Sequence, residues 1–371
     1  MEQITVIVDE KIAVINPNIY GHFTEHIGGV IYDGIWVGPD SKVPNIDGFR
    51  LGIIEAMKHI KAPVIRYPGG CFAETYNWRD GIGPVEQRPV TTNWWYNHDS
   101  RLEANRVGTA EFMKFCNLIG AEPYMAANIT STTALEVRNW VDYCNMPADS
   151  TSLAQLRGQH GNTEPFGIRY WGIGNENWGG GGNMIPEDYA GEYRRYATAV
   201  NSLPGSKYLV ACGPNGNDTD WTQRFFRKIS DRIPNPSRIL HGYSAHFYCG
   251  SAGAALGFDK DEWYQLLSQA SHMEPLITQQ RAIMDSYDPK RRIGLIVDEW
   301  GCWHPDGSGP SAGKNLFEQQ VTMRDAIVSA ITLNIFNNHS DKVVMGNVAQ
   351  LVNNLHALFL SSEALQPCPF L

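Results

Sequence analysis

The chain has 371 residues, enough for one large core or two ordinary ones, and its 43% hydrophobic and 19% charged content excludes disordered and fibrous classes. A formal net charge of −9, without runs of Lys or Arg, argues against nucleic acid or an anionic membrane as the main partner. Eleven Trp and sixteen Tyr are a rich aromatic supply, partly for the core and partly suited to the apolar faces of sugar rings.

Residues 1–18 alternate apolar and polar side chains and contain acids, so they lack the basic start and apolar core of a signal peptide. Within them, 2–15 reads as a strand and turn that needs a sheet to join. Strand-like runs follow at 18–24, 63–67, 122–129, 168–174, 207–213, 239–247, 293–299 and 342–349. Periodic helical segments lie between them, at 50–60, 108–119, 132–146, 187–202, 261–287 and 315–335. This alternation predicts an α/β fold, a (β/α)8 TIM barrel over 18–360. A doubly wound open sheet is the alternative, but no strand leads into a G-x-G-x-x-G turn. From Gln350 the chain shows no convincing eighth helix, and 361–371 reads as a short atypical tail. No apolar run approaches the ~20 residues of a membrane span. Seven Cys without short paired spacings predict reduced thiols and a soluble cytoplasmic protein.

Several motifs bear on chemistry. His22-Phe23-Thr24-Glu25-His26 matches H-x-x-E-H, but the zinc-peptidase reading requires a helix and this segment reads as strand and loop. Glu25 is a better acceptor for a sugar hydroxyl. Gly69-Gly70-Cys71 follows the second strand, where paired glycines let the backbone approach a ligand. Trp94-Trp95-Tyr96 lies in a polar loop and suits a stacking wall. The strongest constellation is Asn175-Glu176 with Glu299, at the ends of the fourth and seventh runs. Those strands face each other across a barrel mouth, so the two acids can converge. Paired carboxylates there predict glycoside chemistry, with Glu299 as nucleophile and Glu176 as general acid/base. The charge on Glu299 favours a proton on Glu176 until a sugar ester neutralises it. Asn175 is placed to hydrogen-bond a sugar 2-hydroxyl. His246-Phe247-Tyr248 ends the sixth run, where Tyr248 can orient the nucleophile and His246 can meet a sugar hydroxyl. The bland alternatives are helix-capping acids, a core His and a packed Tyr.

With these residues placed, the chain resembles the α-L-arabinofuranosidases of glycoside hydrolase family 51. The resemblance rests on IYGHFTEHIGG (19–29), GIWVG (34–38), RYPGGCFAETYNWRDGIGP (66–84), WGIGNENWG (171–179), HFY (246–248), DEWG (298–301) and NVAQLVN (347–353). It implies a barrel plus a β-sandwich, retention of configuration, no metal or cofactor, arabinose-containing oligosaccharides as substrates, and homo-oligomers that are often hexamers. Residue by residue, it implies Glu176 as acid/base and Glu299 as nucleophile. It also implies substrate contacts from Glu25, Cys71, Trp94 rather than Trp95, Asn175, His246, Tyr248, Trp303 and Gln350. Relatives continue into an eighth helix and a long sandwich that also takes the N-terminal strand segment, here within 1–17. The expected consequence is exposed apolar surface beside the eighth strand. Two other readings stay open: β-xylosidase or endo-β-glucanase action with the same glutamates, and a catalytically impaired sugar-binding barrel.

Overall fold

The computed structural model describes residues 9–250, 252–305, 308–311, 313–361 and 365–367. Eight parallel strands close into a barrel: β1 (Gly21–Phe23), β2 (Val64–Tyr67), β3 (Glu122–Ala127), β4 (Tyr170–Ile173), β5 (Tyr208–Ala211), β6 (Gly242–Gly250), β7 (Gly294–Trp303) and β8 (Val343–Ala349). β1 pairs with both β2 and β8, which closes the ring. Every residue of β2 and β4 is buried, as expected for strands covered on both faces. Val64, Tyr124, Tyr170, Val210, Ile296 and Met345 pack into one cluster that floors the barrel interior.

Among the described residues the helices of two turns or more are α1 (Leu51–Ile60), α2 (Thr109–Ile119), α3 (Ala134–Asn145), α4 (Ser152–Gln159), α5 (Pro186–Asn201), α6 (Thr219–Ser230), α7 (Lys260–Ala270), α8 (Met273–Tyr287) and α9 (Met323–Asn338). Their starts are written locally. Thr133 and Asp218 accept the amides of Glu136 and Trp221, and Asp259 with Glu262 forms a capping box. The periodic segment 261–287 divides into α7 and α8 around Ser271-His272, and α9 begins at Met323 rather than near 315. α4 and α6 have no counterpart among the predicted segments: the apolar periodicity of α4 is weak, whereas α6 is strongly amphipathic, with Trp221, Phe225, Phe226 and Ile229 buried, and is missed despite its pattern.

The seventh strand holds the irregularity that matters most. β7 advances three residues, from Ile296 to Glu299, while β6 advances two, from Ser244 to His246. On its other side β7 advances from Val297 to Trp300 while β8 moves only from Gly346 to Val348. One extra residue in β7 is therefore accommodated as a bulge at Val297–Glu299.

At the N-terminus, residues 2–8 of the expected strand lie outside the described residues, and 10–16 form no strand, with Ile12, Val14 and Ile15 exposed. Residues 359–361 and 365–367 pair as an antiparallel ribbon, and 362–364 and 368–371 of the expected tail lie outside the described residues. Among the described residues no helix follows β8. A groove of about 400 Å3 lies there, lined by Tyr20, Ile60, Trp300, Val321, Ala330 and Leu333. Exposed apolar lining of this kind binds amphiphilic dyes. The protein is expected to enhance ANS fluorescence, and Ala330→Glu, on the exposed side of α9, to cut that enhancement several-fold at unchanged circular dichroism.

Candidate active site

Seven of the ten residues singled out from sequence converge at the C-terminal mouth of the barrel, lining one pocket: Glu25, Cys71, Glu176, Tyr248, Glu299, Trp303 and Gln350. Asn175, His246 and Trp94 stand next to them. Strand alternation alone would turn Asp298 and Glu299 to opposite faces. The bulge in β7 instead lets both reach one guanidinium. Arg66 Nη1 donates to Glu299 Oε1 at 2.7 Å, and its Nε lies 3.5 Å from Asp298 Oδ2. Nη2 of the same group donates to Asn175 Oδ1 at 2.6 Å, and its plane lies 4.7 Å from the Phe23 ring centre. Arg66 is only 1% exposed. Gly70 fits beneath this cluster, since a Cβ there would stand 2.9 Å from Glu299 Oε1.

Glu176 sits on the loop after β4 in the left-handed region, φ +43°, an uncommon conformation for a side-chain-bearing residue. Its neighbours on both sides are fixed by Glu74, which is fully buried. Glu74 Oε1 accepts the Asn175 amide at 2.6 Å and Asn177 Nδ2 at 3.0 Å. Its Oε2 accepts the amides of Ile129 and Thr130 at 2.9 and 3.0 Å. Burial pushes Glu74 upward and these donors oppose it. One carboxylate thus ties the loops after β2, β3 and β4 together.

His246 stands between the acids. Its Nδ1 lies 2.9 Å from Glu176 Oε1 and 3.4 Å from Glu299 Oε2, and its Nε2 lies 3.1 Å from Asp298 Oδ1. Burial alone would lower it, but Glu299, Asp298 and Glu176 outweigh burial and raise it to about 10, so the ring is an imidazolium. Burial would likewise raise Asp298, yet Arg66, His246 and the Tyr124 hydroxyl, at 2.8 Å, hold it down at about 2. Burial raises Glu299, with His246 and Arg66 pulling the other way, and Tyr248 donates to its Oε2 at 2.8 Å. One oxygen of Glu176, one of Glu299 and a ring nitrogen of His246 lie within 4.8 Å of one another.

Glu25 accepts the Phe72 amide at 2.9 Å, Trp95 Nε1 at 3.2 Å and Gln350 Nε2 at 3.3 Å. Burial, with the Glu299 charge adding to it, raises Glu25 to about 7 against these donors. Cys71 Sγ lies 3.7 Å from Glu176 Oε2, and burial and that carboxylate keep it a neutral thiol. Asn175 Nδ2 and Gln350 Oε1 are buried polar atoms without a protein hydrogen bond. Of the tandem tryptophans, Trp95 lines the pocket, while Trp94 lies beside Gly180 and Cys71. In the H-x-x-E-H segment, His26 contacts Glu103 and Tyr67, whereas burial lowers His22 to about 4. Sequence reasoning placed Trp95 in a stacking wall but favoured Trp94 for the substrate contact, and it missed Arg66, Glu74, Asp298 and Phe317. An Arg inside a strand read as wholly buried was the one signal available for any of them.

The α-L-arabinofuranosidase 1 domain model matches residues 56–249, and the α-L-arabinofuranosidase C-terminal domain model matches 298–367. An intracellular exo-α-L-arabinofuranosidase of Bacteroides ovatus is 40% identical over 97% of this chain and 69% of its own length. A probable α-L-arabinofuranosidase C of Aspergillus fumigatus is 35% identical, over 98% of this chain and 71% of its own. Among solved structures, the family 51 arabinofuranosidase of Xanthomonas axonopodis pv. citri superposes with a TM-score of 0.91 at 39% identity, covering 97% of this chain and 72% of that one. The Thermotoga maritima α-L-arabinofuranosidase in complex with arabinose gives 0.83 at 33%, covering 95% and 68%.

The His246 geometry has a thermodynamic signature. A group raised in the folded state, from 6.5 to about 10, stabilises fully below about 6.5, and that contribution is lost as pH rises through 10. Thermal melts at pH 6, 8 and 10 are expected to show a declining Tm in the parent protein, with the decline flattened by several degrees in His246→Gln.

Proposed function

The chain belongs to the α-L-arabinofuranosidases of glycoside hydrolase family 51, and on that premise we propose an exo-acting hydrolase of terminal non-reducing α-L-arabinofuranosyl residues on arabinoxylan and arabinan oligosaccharides. The reaction in this reading is a retaining double displacement. What supports it is the separation of the acids: oxygens of Glu176 and Glu299 within 4.8 Å of one another. Retaining sites hold their carboxyl groups ~5–5.5 Å apart, whereas inverting sites need ~6.5–9.5 Å to admit a water.

Glu176 protonates the glycosidic oxygen as Glu299 attacks the anomeric carbon; the bond to the leaving group breaks and an ester forms on Glu299. Water then attacks the same carbon, Glu176 takes its proton, and Glu299 is released. Arg66 and Tyr248 aim Glu299, and His246 stands between the ionised Glu299 and Glu176, which carries its proton at the first step and is a carboxylate only after giving it up. Asn175 Nδ2 and Gln350 Oε1, buried and unmatched, are assigned to sugar hydroxyls, Asn175 to the 2-hydroxyl. Glu25 and the neutral Cys71 thiol complete the polar lining, and Trp303 and Trp94 supply stacking faces. Cytoplasmic residence is supported by the name of the Bacteroides relative and by free thiols at all described cysteines. No helix among the described residues is long and apolar enough to cross a membrane. Association into a homo-oligomer, hexameric by family resemblance, belongs to the same reading.

Hydrolysis of an aryl α-L-arabinofuranoside tests it. Glu299→Ala is expected to lower kcat by about 10^4-fold or more and Glu176→Ala by about 10²–10⁴-fold, with NMR showing the α-anomer as the first product. A folded protein without this activity, or a β-anomer formed first, would overturn it.

A further inference from the structure

Four aromatic side chains, two from the ends of β6 and β7 and two from loops, form an arc around the pocket. Tyr248, bonded to Glu299, meets Trp303 edge-to-face at 5.2 Å and 82°. Trp303 meets Phe317 at 4.8 Å and 61°, and Phe317 meets Trp95 at 5.6 Å and 83°. Trp95 then donates to Glu25. The arc therefore runs unbroken from one buried acid to the other, and Phe317 is one of its two inner links.

Phe317 holds that place against its own backbone preference. Its φ is +56°, where a bulky residue is a genuine outlier that persists only if its surroundings over-determine it. They do so here. The Phe317 carbonyl accepts the Leu355 amide at 3.0 Å, and the Leu316 carbonyl accepts Asn354 Nδ2 at 3.0 Å. Arg101, from the segment between β2 and α2, donates to the carbonyls of Gly28 at 2.5 Å and Lys314 at 2.7 Å, and to Asn315 Oδ1 at 2.7 Å. One guanidinium thus latches the β7–α9 loop to the loop after β1. A ring forced into a pocket wall at this conformational cost has a shape-setting part to play.

We propose that Phe317, held in the pocket wall between Trp303 and Trp95 by the latched β7–α9 loop, is a specificity-determining residue that sizes the sugar pocket for a five-membered glycone. This rests on the glycosidase reading above. Pockets discriminate by about 10–200-fold for a difference of one methylene group, and trimming a phenyl ring to a methyl or to hydrogen removes far more volume than that. The enlarged pocket would admit a six-membered ring.

The readout is the ratio of kcat/KM for an aryl α-L-arabinofuranoside to that for an aryl β-D-xylopyranoside. In Phe317→Ala and Phe317→Gly the ratio is expected to fall by about tenfold, while Phe317→Leu keeps most of it. Glycine also relieves the positive φ, so that variant decides the matter if the alanine protein fails to fold. A ratio that stays within about threefold of the parent, or rises, overturns the proposal, since a merely structural part would lower both substrates together. If the parent hydrolyses neither glycoside, the glycosidase reading fails. The same ratio is then read from calorimetric Kd values for methyl α-L-arabinofuranoside and methyl β-D-xylopyranoside, which decide the part of Phe317 on their own.

Discussion

A single buried guanidinium organises the mouth of this barrel. Arg66 touches Asp298, Glu299 and Asn175, side chains from opposite sides of the ring, and lies over Phe23 of a third strand. Glu25, Glu176, Asp298 and Glu299 crowd into one largely dry space, where unpaired ionised carboxylates would be severely destabilising. Arg66 from below and the imidazolium of His246 from the side supply the two positive charges that make the crowding tolerable. Removing one partner from such a buried set costs about 3–5 kcal/mol, so the same contacts serve stability and geometry.

The support reaches downward and sideways from that centre. Tyr124 belongs to the apolar floor and also donates to Asp298, so the floor fixes the carboxylate that faces His246. Glu74 acts laterally, accepting main-chain amides on the loops after β3 and β4. Each of these hydrogen bonds is local in space and distant in sequence, between 55 and 233 residues apart. A site assembled this way is rigid because its carboxylates are bonded to backbone and strand residues rather than to other loop tips.

The barrel was legible in the sequence because all eight strands are short apolar runs, most of them separated by segments read as helical, and each run overlaps its strand; the helix between the fifth and sixth went unread. The paired glutamates were legible because an acid at the end of such a run is conspicuous. The bulge in β7 was not, since an extra residue in an apolar run leaves no mark on periodicity. Asp298 therefore read as a neighbour of Glu299 rather than as a partner in the same cluster. Glu74 sat in a motif with no obvious chemistry, and its importance lies in four amides that no local pattern connects. Trp95 and Phe317 depend on loop conformations, and a phenylalanine at positive φ runs against propensity, so sequence logic could not have placed it. Arg66 was the avoidable miss. A cation in the middle of VIRY, between residues that must be buried, needs anionic partners wherever the chain is folded.

The extra residue in β7 also sets what can be transplanted from this molecule. The pairing of β7 with β6 shifts by one residue across the bulge, and on the β8 side an opposite irregularity between Leu295 and Ile296 compensates the shift, so that Leu295 still meets Val343 and Trp300 meets Val348. Copying Arg66, His246, Asp298 and Glu299 onto a regular eight-stranded scaffold would turn one of the two adjacent acids outward, into the layer between strands and helices. A deletion that made the strand regular would have the same effect here. The portable unit is the irregular strand with its two neighbours, and the four side chains alone are not enough.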